Sequence, residues 1–131
     1  MDKSDSGWRV RAIRGATTVP ENTAEAMTEA VHELLIQLER RNQLNPQNII
    51  SATFSVTSDL DAIFPAKVAR QRPNWDNVAL LDVQQMAVRG SLQRCIRFLI
   101  HAYLPVTQAE IQHPYLRGAK ALRPDWDVAA V

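Results

Sequence analysis

Residues 90–103, GSLQRCIRFLIHAY, decide the fold. Gly90 and Ser91 form a turn, and Leu92 to Tyr103 then reads as a strand. Cys95, Arg97 and Leu99 share one face of it; Ile96, Phe98 and Ile100 share the other. Arg97 is a charge inside an otherwise apolar run, and Pro105 breaks the strand. Burying an unpaired cation is costly, so Arg97 must meet an acid, a carbonyl or a bound anion.

Three more strands surround this one. Trp8 to Thr17 places Trp8, Val10, Ala12 and Arg14 on one face and Arg9, Arg11 and Ile13 on the other. Arg14 therefore falls on the more apolar face, and Gly15 beside it permits a tight bend or a close backbone approach. Ile49 to Thr57 is rich in β-branched residues, and a further strand is expected over Asn77 to Val83.

Between the first two strands, Asn22 or Thr23 caps a helix running to about Arg41. Met27, Val31, Leu34, Leu35 and Leu38 recur along it at helical spacing, the pattern of a core-facing stripe. Pro65 to Arg72 forms a short helical stretch on which Lys67 and Arg70 share a face. Thr107 caps a helical turn over Gln108 to His113, and Tyr115 opens a closing segment to Arg123. The expected organisation is a tail over 1–8, one domain over 9–125 and a peripheral tail over 126–131.

The fold class is α+β: a mixed β-sheet with one long helix and short helical turns. A single helix covers only one face of such a sheet. The other face stays apolar, and a closed ring of copies is the simplest way to bury it.

The 131 residues suit one domain, and 46% hydrophobic against 22% charged is an ordinary folded composition. The net charge of +1 gives no broad field for nucleic acid, and no apolar stretch approaches a membrane span. With the single cysteine Cys95 and a polar start, the expectation is a soluble cytoplasmic protein. Lysine occurs only at 3, 67 and 120, so nearly all the basic residues are arginines, whose rigid fork matches planar carboxylates.

The usual catalytic kits are missing. There is no phosphate-binding glycine loop and no nucleophile elbow. His32, His101 and His113 make no zinc pattern with Cys95, which reads as inert packing. No metal and no cofactor are expected. A single strand arginine is usually solvated or ion-paired, but Arg14 and Arg97 both interrupt apolar faces, and a dianionic ligand would satisfy them.

RAIRGATTV at 11–19, FPAKVAR at 64–70, GSLQRCIRFL at 90–99 and HPYLRGAKALRPD at 113–125 together resemble the monofunctional AroH-class chorismate mutases. The resemblance covers about residues 9–125. It implies a trimeric pseudo-α/β-barrel with active sites between subunits, rearranging chorismate to prephenate without a cofactor.

Carried over residue by residue, the resemblance implies that Arg14 clamps a substrate carboxylate and Tyr115 contacts the same region. Arg97 stands as the main catalytic cation near the breaking ether oxygen. Phe64 and Leu122 form apolar walls supplied by a neighbouring subunit. Lys67, Arg70 and Arg123 draw in or retain the dianion. Two positions depart from the pattern: Asp82 and Gln85 stand where the family commonly has Cys and Glu. Gln85 keeps a carbonyl acceptor without the charge, and Asp82 either supplies a negative charge to Arg97 or points into a structural network. The competing readings are a noncatalytic trimer that binds a small dicarboxylate, a deaminase on a similar interface, and a structural interaction protein.

Overall fold

The computed structural model describes residues 7–126. Four strands, β1 (Arg9–Thr18), β2 (Ile49–Val56), β3 (Ala79–Gln84) and β4 (Cys95–Leu104), form one sheet in the order β1-β4-β2-β3. The β1–β4 and β4–β2 pairs are antiparallel and β2–β3 is parallel, so the sheet is mixed. The parallel pair needs a crossover, which α2 (Pro65–Arg70) and its flanking loops supply.

The long helix α1 (Ala24–Asn42) begins at Thr23, whose hydroxyl accepts the Ala26 amide. It ends at Gln43, which takes the left-handed conformation at φ 48°. Its buried stripe is Met27, Ala30, Val31, Leu34, Leu35 and Leu38. These pack with Ile13, Phe54, Ile96, Phe98 and Ile100 into the main core. Burying each large side chain contributes roughly 1.5–3 kcal/mol, so this layer supplies most of the drive to fold.

The core face of β4 is therefore Ile96, Phe98, Ile100, Ala102 and Leu104. Gly15 pairs with Phe98, and a Cβ added to it would come within 2.4 Å of the Phe98 ring. The glycine is there for close approach between strand backbone and ring, not for a bend.

The opposite face has no α-helix on it among the described residues; the 3-10 turn Arg117–Leu122 packs over its Ala16–Cys95 end. Val10, Leu81, Val83, Leu99 and Tyr103 lie exposed on this face, Leu81 at 58% and Leu99 at 42%. The expectation for Arg14 needs correcting at this point. Ile13, not Arg14, faces the α1 core, and Arg14 is exposed on the open face. Val10 and Ala12 made that face look apolar in the sequence, but its apolar residues are ones the protomer leaves uncovered.

Both ends of the domain carry an aromatic. Trp8 stacks on Tyr103 with centroids 5.5 Å apart. Trp126, assigned above to a peripheral tail, packs against His113 and Tyr115. Residues 1–6 and 127–131 of the two expected tails lie outside the described residues.

Candidate active site

The open face of the sheet gathers the arginines. Arg97 pairs with Ala16 on one side and Ser55 on the other, which puts its side chain on the face of Leu99 and Cys95. It is half-buried, and its Nε is buried with no hydrogen-bond partner among the described residues. A buried donor left unpaired costs about 1–3 kcal/mol, more when charged. Such an orphan marks a place where an acceptor belongs.

Beside it stand an amide and a hydroxyl. The Gln85 backbone donates to the Val56 carbonyl at 2.8 Å, which extends the β2–β3 pairing one residue past β3. The Gln85 side-chain oxygen accepts the Ser55 hydroxyl, also at 2.8 Å. Cys95, two residues before Arg97, is a buried free thiol; burial pushes its pKa up, partly opposed by the positive charge of Arg97. It is a poor nucleophile there.

Arg14 pairs with Leu99 on the same face. Its amide donates to His113 Nδ1 at 2.9 Å, and its guanidinium sits 5.8 Å from the Trp126 ring centroid. It makes no ion pair among the described residues. The segment after β4 is pinned along β1 by two backbone bonds, Ala16 N–H to the Pro114 carbonyl and Leu116 N–H to the Ala16 carbonyl. That places Tyr115 beside Ala16, buried with Cys95 and Ala119 in a small second core that Leu122 and Trp126 pack against.

Arg123 closes this end. It lies 3.4 Å over the Trp126 ring and pairs with Asp125 at 2.8 Å. His113 stacks on the Trp126 ring, with centroids 3.8 Å apart. Burial, followed by the Arg123 charge, holds the His113 pKa below its ordinary 6.5, so it is a neutral acceptor for the Arg14 amide at pH 7. Arg14, Leu99, His113 and Trp126 line one cleft of about 760 Å³.

The remaining candidates sit elsewhere. Phe64, 69% exposed, precedes α2, which carries the exposed Lys67 and Arg70. Phe64, Lys67 and Asp82 line a second cleft, of about 620 Å³, which shares no residue with the first. Asp82 corrects a further expectation. It pairs with Phe54, whose side chain is in the core, whereas Arg97 pairs with the next residue, Ser55. Successive residues of β2 face opposite ways, so Asp82 and Arg97 are on opposite sides of the sheet. Asp82 makes no ion pair with Arg97; its carboxylate accepts the Ala66 amide at 3.0 Å instead.

Two contributors were missed in the sequence. Ser55 holds Gln85, and Trp126 packs over Arg14 and under Arg123. Ser55 meets Arg97 only through the β2–β4 register, and nothing local marks either Ser55 or Trp126. No group of three or more metal-ligating side chains occurs among the described residues.

A sequence profile described as chorismate mutase type I matches residues 10–126. The chain is similar to the chorismate mutase AroH of Bacillus subtilis, at 38% identity over 88% of this chain and 91% of that one. It is also similar to the chorismate mutase AroH of Thermus thermophilus, at 42% identity over 92% and 98%. Among solved structures, a chorismate mutase from Clostridium thermocellum superposes with a TM-score of 0.81. The two share 44% identity, covering 84% of this chain and 97% of that one.

Proposed function

We infer that this chain, which belongs to the chorismate mutase type I family, converts chorismate to prephenate. The observation that carries the reading, beyond membership, is the buried and unpartnered Nε of Arg97 on a face that also holds Arg14 and Gln85.

The rearrangement is intramolecular, so it needs neither nucleophile nor proton shuttle. Catalysis reduces to two physical tasks. The substrate must be held in its folded reactive conformer, and the negative charge growing on the ether oxygen must be met by a fixed donor. Arg14 holds a carboxylate and Tyr115 buttresses that end. Arg97 faces the ether oxygen. Gln85, oriented by Ser55, accepts the ring hydroxyl. Leu122, expected from a neighbouring subunit with Phe64, packs instead on the core of Tyr115 and Cys95 and so forms an apolar wall on the Arg14 side, while Arg123 retains the dianion.

Phe64, Lys67 and Arg70 complete the site from an adjacent copy in a closed homotrimer. Two features support this: the two clefts share no residue, and the open sheet face leaves Leu81, Val83 and Leu99 exposed. Stacked as a ring, these faces form the interior of a barrel with the helices outside. The free thiol of Cys95 fits a reducing, cytoplasmic compartment.

The test is direct. Purified protein mixed with chorismate is expected to consume it and form prephenate far above the uncatalysed rate. Saturable binding without turnover would move the protein to a dicarboxylate-binding relative.

A further inference from the structure

We propose that Asp82 is a positioning residue that fixes α2, and through it sets the pose of Phe64, Lys67 and Arg70. The inference rests on the mutase reading above, and it replaces a role beside Arg97 that the register excludes.

The reason lies in the helix itself. With six residues, α2 is far too short to hold its own shape, since a helix nucleus is costly and isolated helices of this length are unstable. Its internal bonding begins with the Lys67 and Val68 amides, which both donate to the Phe64 carbonyl. The Ala66 amide is thus an orphan of the first turn. An N-cap side chain would normally help satisfy that turn, but the capping residue is Phe64, which makes no side-chain cap bond.

Asp82 supplies the acceptor from another element. Its Oδ1 takes the Ala66 N–H at 3.0 Å across 16 residues of sequence. Asp82 stands in β3, whose place is set by six paired positions along β2. The buried side chains Pro65, Val68 and Ala69 fix which way α2 is rotated. The Asp82 bond fixes where its first turn sits against the sheet. Phe64, Lys67 and Asp82 all line the same cleft, so a shift of that turn moves the cleft's apolar and cationic groups together.

The experiment compares Asp82→Asn, which keeps an acceptor oxygen in place, with Asp82→Val, which removes it. Both are assayed for kcat and KM with chorismate, and Ala66 amide hydrogen exchange is measured in each variant and in the wild type. The Asn variant is expected within about twofold of wild type in both constants. The Val variant is expected to raise KM about tenfold with kcat within about threefold, because α2 contributes binding common to ground and transition states. Ala66 should be protected in wild type and Asn protein and exchange fast in the Val variant. An unchanged KM in the Val variant overturns the proposal. So does an Asn variant as impaired as the Val one, which would mean that the charge itself acts on substrate. A fast-exchanging Ala66 amide in the wild type overturns it even where the Val variant does not fold. Wild-type protein without turnover defeats the mutase reading instead, and the exchange data then still decide the anchor.

Discussion

The side-chain oxygen of Gln85 accepts the Ser55 hydroxyl at 2.8 Å, and Ser55 stands directly across from Arg97 in the β2–β4 register. A neutral acceptor is thus held in the register position next to Arg97 by a single hydroxyl. Replacing Gln85 by Glu keeps the acceptor and adds a charge that Arg97 can use. Gln85→Glu is expected to raise kcat/KM by about threefold or more, and Gln85→Leu to lower it by about tenfold. Steady-state kinetics on the two variants checks this; an Leu variant equal to wild type would remove Gln85 from the site.

The open sheet face gives a prediction about assembly. A protein of 14.7 kDa per chain should scatter light as about three times that mass. Leu81→Asp puts a charge in the row where Leu81, Thr53 and Leu99 lie side by side. It is expected to lower the mass to that of one chain and abolish turnover together, since the half-sites are then separated. A monomeric wild type that turns over chorismate would contradict the shared-site arrangement.

Asp59 anchors the entry to β4. Its two oxygens accept the Arg94 amide at 3.1 and 2.9 Å, and Arg94 is held at φ 45°. Burial works to raise the Asp59 pKa, but the Thr57 hydroxyl and the Arg94 amide outweigh it and hold the carboxyl below its ordinary 3.8. The folded state therefore binds fewer protons than the unfolded chain in this range. The stabilisation is present above 3.8 and is lost as pH falls through the lower folded value. Asp59→Ala should lower Tm at neutral pH, with the difference shrinking in strong acid. A pH-independent difference would assign the effect to packing.

His113 gives a second acid-side test, at higher pH, because it must stay neutral. Its pKa is held below 6.5 by burial and by the Arg123 charge, so the unfolded chain takes up its proton first on acidification. The sign is that stability falls as pH drops below 6.5. Protonation would also remove the acceptor for the Arg14 amide and place a third cation beside Arg14 and Arg123. His113→Asn is expected to flatten the Tm profile between about pH 7 and pH 5. An unchanged profile would mean that other groups govern it.

Much of this was legible in the sequence because the dominant physics is local. The stripe of α1 and the alternation of Ile96, Phe98 and Ile100 each encode a core face directly. Thr23 reads as a cap because its hydroxyl acts three residues away. The face of Arg14 was misread because this sheet has apolar residues on both sides, and alternation alone does not say which side the helix covers. The two readings of Asp82 could not be separated in the sequence because strand register is a long-range property; a shift of one residue sends a side chain to the other face. Trp126 was invisible for a related reason, since its partners His113 and Arg14 come from distant segments that only the fold brings together.

The measurement that bears most directly on the central claim is turnover of chorismate by Arg97→Ala. In the proposed mechanism, Arg97, whose buried Nε has no hydrogen-bond partner among the described residues, is the donor that would meet the developing ether-oxygen charge. Losing such a donor costs on the order of 3 kcal/mol, so kcat should drop at least about a hundredfold while the assembly mass and melting profile persist. A loss of less than about tenfold from a correctly assembled protein would contradict the account, leaving Arg97 a structural residue and the rearrangement driven from elsewhere.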